Sequence, residues 1–124
     1  MEVPILKQGN YLIVPLQPGL LDADLVQLRE NLLEWVGKFR SRGVVIDVTA
    51  MDVMDSFSTA IMRTTAQAVK LRGAVAVVVG IQPDVAFAMV QLGLSLQGVE
   101  TALDLEEGLA ILDRRTKGGK TGGR

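Results

Sequence analysis

The stretch that decides the fold begins with VVIDV at residues 44–48 and ends with AVAVVV at residues 74–79. Both runs are short, rich in β-branched residues and apolar at consecutive positions, which is typical of central strands buried on both faces of a sheet. Residues 55–72 lie between them and are long enough for a helical crossover. A strand, a helix and a second strand at this spacing predict a βαβ unit with parallel strands.

The N-terminal segment has the pattern of a hairpin. Residues 11–16 are extended in character, and Pro15 cannot donate to a ladder, so this strand should lie at an edge or end there. Gly9-Asn10 predicts a tight turn that links it to a short first strand near residues 5–7.

A helix should follow over residues 21–39, where large apolar residues recur at steps of four and three. Asp22 or Asp24 can cap its start, because a carboxylate accepts from free backbone N–H groups there. Gly43 is the expected C-cap of this helix.

The C-terminal part completes the domain. Pro83 suits a first helical turn, which predicts a third helix to about Leu92, and a short strand is expected near residues 99–102. Asp104 and Glu107 resemble a capping box that begins a last helix ending near Arg115. The chain therefore predicts a small α/β domain with a mixed sheet of four or five strands and about four helices, spanning residues 1–116. Residues 117–124 are rich in glycine and charge, and we expect them to be a disordered tail.

Composition excludes several kinds of function. The 124 residues make one domain, and they include no histidine and no cysteine, which excludes imidazole or thiolate metal ligands and a cysteine nucleophile. The net charge of −1 argues against nucleic acid as a main partner. The longest uncharged apolar run, residues 73–82, is far shorter than a membrane span, and we find no signal peptide. We expect a cytoplasmic protein with no membrane association, metal or cofactor.

The candidate site is the segment after the central strand, residues 47–60. Ligands and partners of open α/β sheets gather where strands end at their carboxyl edge. In this segment Asp52 and Asp55 stand among apolar residues that include Met54, and we expect some of those apolar side chains to be exposed. Ser56 falls at the start of the crossover helix. The simplest alternative is that Asp55 or Ser56 is only a helix cap.

A regulatory role is the sharper interpretation. A phosphate on Ser56 would sit near free N–H groups at the positive end of a helix. It would add about −1.5 to −2 charge beside Asp52 and Asp55. A partner packed on Met54 and Phe57 would then meet a dense negative cluster, which is a switch for binding. Catalysis by Ser56 lacks a histidine or a suitably spaced lysine, so we predict that the protein is not an enzyme.

Several motifs together carry a family resemblance. VVID at 44–47 followed by MDSF at 54–57 resembles the STAS domain of anti-sigma factor antagonists. GIQP at 80–83 and ETALDLE at 100–106 narrow the resemblance to the single-domain scaffold proteins of bacterial stressosomes, the RsbS type. The likeness covers roughly residues 4–115.

The resemblance implies a mixed sheet whose helices pack mainly on one side. It also implies assembly with RsbR-type STAS paralogues into a large complex that sequesters an RsbT-type serine kinase. That kinase would phosphorylate Ser56 and leave, and an RsbX-type phosphatase would reset the switch. Ser58 and Thr59, in the same helical turn, are the less favoured phosphorylation sites.

Two other functions stay open at this point. One is a free anti-sigma factor antagonist that binds an anti-sigma kinase as a monomer or small dimer. The other is a STAS module that binds a small molecule or nucleotide, although no glycine-rich phosphate loop supports it.

Overall fold

The predicted βαβ unit forms the centre of the fold. The computed structural model describes residues 2–122, with side chains described up to Lys117. In chain order the elements are β1 (Leu6–Gln8), β2 (Tyr11–Pro15), α1 (Asp22–Phe39), β3 (Gly43–Asp47), α2 (Ser56–Leu71), β4 (Val75–Val79), α3 (Pro83–Gln91), β5 (Glu100–Ala102) and α4 (Leu105–Gly122).

The five strands form one mixed sheet in the order β1-β2-β3-β4-β5. β1 pairs with β2 as an antiparallel hairpin. The remaining neighbours are parallel, and the register places Ile13 beside Val45 and Val45 beside Val77. The predicted mixed sheet is therefore confirmed, and β2, β3 and β4 all end at the same edge. Pro15 ends β2, which is an inner strand.

Both faces of the sheet are covered. On one face the alternate residues Leu12, Val44 and Val78 pack with buried side chains of α1, α2 and α3. On the other face Val45 and Val77 pack against α4. Three of the four helices in residues 2–122 thus lie on one side, as the family resemblance implied. Since side chains alternate along a strand, consecutive apolar residues are what such a two-sided burial requires.

Helix α1 covers almost the predicted residues, but its C-cap differs from the predicted one. Asp24 accepts the backbone N–H of Leu21 at 2.8 Å, so an early aspartate does help to begin the helix. The predicted C-cap, Gly43, was wrong, because α1 ends at Phe39 and is capped by Arg40, which has a left-handed conformation with φ of 51°. Gly43 instead begins β3, where an added Cβ would lie 2.8 Å from two carbons of Leu112. The missing side chain at Gly43 leaves room for Leu112 of α4, a contact that local sequence does not reveal.

The start of α4 has the predicted pairing. Asp104 accepts the N–H of Glu107 at 2.9 Å, and the Glu107 carboxylate accepts the N–H of Leu103 at 2.8 Å. These two bonds satisfy backbone donors that a helix start otherwise leaves free.

The end of α4 differs from the prediction, because the helix continues past Arg115 to Gly122. Thr116 anchors the extension: its hydroxyl donates to the Leu112 carbonyl at 2.8 Å and lies 3.1 Å from the Tyr11 hydroxyl. Lys117 also pairs with Asp113 at 3.1 Å. Residues 123–124 of the predicted tail lie outside the described residues, and the domain boundary after residue 116 stays a prediction. Among the helices of residues 2–122, none is long and apolar enough to cross a membrane.

Candidate functional site

The candidate site lies at the carboxyl edge of the sheet, in the loop that joins β3 to α2. Asp47, at the end of β3, accepts the backbone N–H of Thr49 at 2.9 Å and its hydroxyl at 2.6 Å. The Thr49 carbonyl accepts the side-chain amide of Gln82 at 2.7 Å. These bonds fix the beginning of the loop and tie it to the segment that joins β4 to α3.

Gly80 allows the two loops to approach each other closely. Its φ is +82°, and an added Cβ would lie 2.0 Å from the Thr49 hydroxyl oxygen. Only glycine combines that backbone conformation with so small a space. The contact between Gln82 and Thr49 places the turn at residues 80–83 beside the candidate site.

Asp55 is the N-cap of α2, one of the two caps that the sequence left open. Its carboxylate accepts the backbone N–H of Ser58 at 2.8 Å and the Ser58 hydroxyl at 3.0 Å. The backbone N–H of Ser58, followed by its hydroxyl, lowers the pKa of Asp55 below the ordinary value, because both bonds favour the charged form. Asp55 is therefore an ionised cap at neutral pH.

The three hydroxyl groups in the first turn of α2 have different environments. Ser56 is the first helical residue and is exposed. Ser58 is only 6% exposed, and its hydroxyl is engaged by Asp55. Thr59 is 1% exposed, and its hydroxyl oxygen has no hydrogen-bond partner within the part of the chain that is described. Ser56 is thus the hydroxyl of this turn that a macromolecular partner can reach.

The apolar residues of the loop divide between the core and the surface. Val53 is 69% exposed and Phe57 is 37% exposed, and Asp52 is also exposed. Met54, which we expected on the partner surface, is only 4% exposed and belongs to the core, as does Met51. The loop turns back at Met51, whose N–H donates to the Val48 carbonyl at 2.9 Å, and this buries the methionines. Val53, and not Met54 as predicted, is therefore the exposed apolar residue between Asp52 and Asp55 in the sequence.

An open cleft of about 290 Å³ lies between this loop and the loop that joins β2 to α1. Pro18, Gly19, Leu20 and Asp22 line one side, and Met51, Asp52, Val53, Asp55 and Ser58 are among the residues of the other. Three carboxylates and no basic side chain line it. The sequence prediction missed the β2–α1 side, although parallel pairing of β2 with β3 is the signal that would have brought it there.

Nothing in the described residues suggests a metal centre at this edge. Across residues 2–122, no group of three or more acidic side chains is arranged to hold a metal ion. The arrangement can instead present a hydroxyl, flanking carboxylates and two exposed apolar side chains to another macromolecule.

Comparison with known proteins identifies a family and two similar solved structures. The STAS domain family matches residues 2–108. The solved structure of a serine-to-glutamate variant of Moorella thermoacetica RsbS is 35% identical, with a TM-score of 0.80, over 94% of this chain and 99% of that chain. A chain in the structure described as the molecular architecture of the stressosome is 37% identical, with a TM-score of 0.77, over 90% of this chain and 97% of that chain.

A curated relative adds a second kind of match. RsbT co-antagonist protein RsbRA of Bacillus subtilis (strain 168) is 36% identical over 101 residues, which are 81% of this chain. The chain spans only 36% of that protein's length, so the likeness concerns one part of RsbRA.

Proposed function

The chain belongs to the STAS-domain family, and from that premise we propose that it is a non-enzymatic scaffold of a bacterial stressosome. In this proposal it holds a switch serine kinase of the RsbT type. The kinase transfers the γ-phosphoryl group of ATP to the Ser56 oxygen, which loses its proton as ADP is released. The phosphorylated scaffold then releases the kinase.

The observation that carries the proposal is the accessibility of Ser56. It is exposed at the first position of α2, whereas Ser58 and Thr59 are buried in the same turn. The helix itself is begun by Asp55, so the Ser56 hydroxyl is not needed as a cap. A side chain that the fold does not use can be modified while the domain stays folded.

Charge explains how phosphorylation would release a partner. The cleft beside the start of α2 already presents the carboxylates of Asp22, Asp52 and Asp55. A phosphate adds about −1.5 to −2 charge next to them. A kinase packed on Val53 and Phe57 would have to bury that hydrated phosphate against like charges, and burying an unpaired charge is strongly unfavourable.

The likeness to RsbS and to a part of RsbRA supports the proposed partners. We propose that RsbR-type paralogues assemble with this chain through their own STAS domains. An RsbX-type phosphatase would hydrolyse the phosphoserine and restore kinase binding.

A binding experiment tests the proposal. The chain is mixed with an RsbR-type paralogue and an RsbT-type kinase, and size-exclusion chromatography with light scattering follows the complex. We expect the native chain to retain the kinase without ATP and Ser56→Asp to lose it. Ser56→Ala should retain the kinase even after ATP is added, because no phosphate can form at this position.

Ser95→Asp is the matched control, because it adds the same charge at an exposed serine in the loop after α3. We expect this variant to retain the kinase. Retention by Ser56→Asp equal to that of the native chain would contradict the charge mechanism. A native chain that stays a monomer or small dimer in the presence of the paralogue would contradict the scaffold role and favour a free antagonist.

A further inference from the structure

A second cleft, of about 370 Å³, lies at the opposite edge of the sheet from Ser56. It is formed by the end of α1, the segment that leads into β3, and the turn between α2 and β4. Its lining consists of Val36, Gly37, Arg40, Ser41, Arg42, Arg72 and Gly73, and we call it the arginine cleft.

Three arginines and no acidic residue line the arginine cleft. Among the described residues, no carboxylate forms an ion pair with any of the three. Arg42 makes a weak contact with the Thr116 carbonyl at 3.4 Å. Arg72 lies directly over Gly37, where an added Cβ would be 1.9 Å from a guanidinium nitrogen. The absence of a side chain at residue 37 lets this guanidinium rest against α1.

Arg40 adopts a backbone conformation that is unfavourable for it. It caps α1 with φ of 51°. Among the described residues, it is the one residue with a positive φ that is not a glycine. Glycine or asparagine usually occupies that position, because a Cβ is strained there. A positive charge near the end of a helix is favourable, but this does not explain why Arg40 is strained. The exposed Lys38 already supplies such a charge in the last turn of α1.

Ser41 supplies an uncharged donor to the same cleft. The residue is only 5% exposed, and within the described residues its hydroxyl makes no hydrogen bond, although it lines the cleft. The Ser41 hydroxyl oxygen is not among the fully buried atoms that lack a partner, so it is open to the cleft. It can therefore donate to a ligand oxygen there.

We propose that the arginine cleft binds a phosphate group. Guanidinium groups present paired N–H donors that match phosphate oxygens, and these charge-assisted bonds are among the strongest hydrogen bonds. The Ser41 hydroxyl donates a further bond to the same anion. The site lies at the edge of the domain away from Ser56, so phosphate binding there can be tested without a kinase.

Titration followed by amide NMR spectra tests the site. The probe is inorganic phosphate, added to the full chain at constant ionic strength, with sodium chloride as the parallel titrant. We expect saturable shifts at Gly37, at residues 40–43 and at Gly73, which chloride does not reproduce. The same titration with ATP and with a phosphoserine peptide of residues 50–62 identifies whether a nucleotide or a phosphoprotein is the better source of the phosphate.

Two substitutions separate binding from folding. Arg40→Gly removes one guanidinium and also relieves the left-handed strain, so we expect a higher thermal midpoint together with weaker phosphate binding. Arg40→Gly combined with Arg72→Gln should weaken binding by about tenfold or more, as expected for the loss of charge-assisted bonds. Arg114→Gln is the matched control for Arg40→Gly, since each removes one positive charge, and Arg114 is an exposed arginine on α4.

Each outcome of the phosphate titration either supports or overturns the proposed site. Localised saturable shifts that the double variant abolishes and Arg114→Gln preserves support the proposal. Shifts that do not saturate, that chloride reproduces, or that Arg114→Gln weakens as much as Arg40→Gly overturn it. Equal binding by Arg40→Gly and the native chain would also overturn the proposal, because the strained Arg40 would then have no part in binding.

Discussion

Replacing Asp55 by alanine removes the carboxylate that begins α2 beside Ser56. That carboxylate accepts both the backbone N–H and the hydroxyl of Ser58, at 2.8 and 3.0 Å. Loss of an N-cap costs about 0.5–2 kcal/mol. Ser58 is only 6% exposed, so water replaces the lost acceptor poorly, and we expect about 1.5 kcal/mol. For a domain of this size the thermal midpoint should fall by about 5 °C.

Urea unfolding measures this effect as a lower midpoint at unchanged slope, which indicates a change in stability rather than in the surface exposed on unfolding. Asp52→Ala is the matched control, because Asp52 is an exposed aspartate of the same loop without a hydrogen bond in the described structure. Its substitution should change stability by no more than about 0.5 kcal/mol. The interpretation of Asp55 as a cap is refuted if both substitutions have the same effect.

The effect of Asp55 should also depend on pH. Because its bonds with Ser58 lower its pKa in the folded state, the carboxylate stabilises the fold above its unfolded pKa of about 3.9. This stabilisation is lost as the pH falls through the folded value. The difference in stability between the native chain and Asp55→Ala should therefore be constant near neutral pH and shrink in acid. A difference that grows as the pH falls would contradict the assigned cause.

Three further substitutions test the fold around the site. Gly43→Ala should lower the free energy of unfolding, measured in urea, by about 1–3 kcal/mol, because its Cβ would lie 2.8 Å from two carbons of Leu112. An unchanged free energy of unfolding would mean that α4 can shift. Tyr11→Phe should cost about 1 kcal/mol, since the hydroxyl donates a bond of 2.6 Å to α4, and calorimetry showing no change would count against that bond. Gly80→Ala should lower the thermal midpoint more than Gly73→Ala. Both glycines have a positive φ, but an added Cβ collides with Thr49 at Gly80 and meets nothing at Gly73, so equal effects would be inconsistent with the collision.

The sheet could be predicted because the residues that indicate each strand are adjacent in the sequence. Consecutive β-branched residues at 44–48 and 74–79 indicate strands covered on both faces, and the length between them requires a crossover. The capping pair Asp104 and Glu107 lies within one helical turn, so spacing alone predicts it. The fold class, the element order and the start of α2 follow from such patterns.

Features set by distant contacts could not be predicted in the same way. Gly43 has the local pattern of a helix cap, but its role depends on Leu112, which is far away in the sequence. Met54 is buried because the loop turns back onto the core, and no periodicity within the loop indicates this. Arg40 in a left-handed conformation runs against residue preference, so only the structure reveals it.

The proposed role of Ser56 is still a prediction, and its most direct test is mapping of the phosphorylated residue. The chain is incubated with an RsbT-type kinase and ATP, digested, and analysed by mass spectrometry with fragmentation that distinguishes the hydroxyls of the first turn of α2. The exposure of Ser56 and the burial of Ser58 and Thr59 predict phosphate on Ser56, and none on the peptide from Ser56→Ala. Phosphate on Ser58 or Thr59 in the native chain, with Ser56 unmodified, would contradict the account.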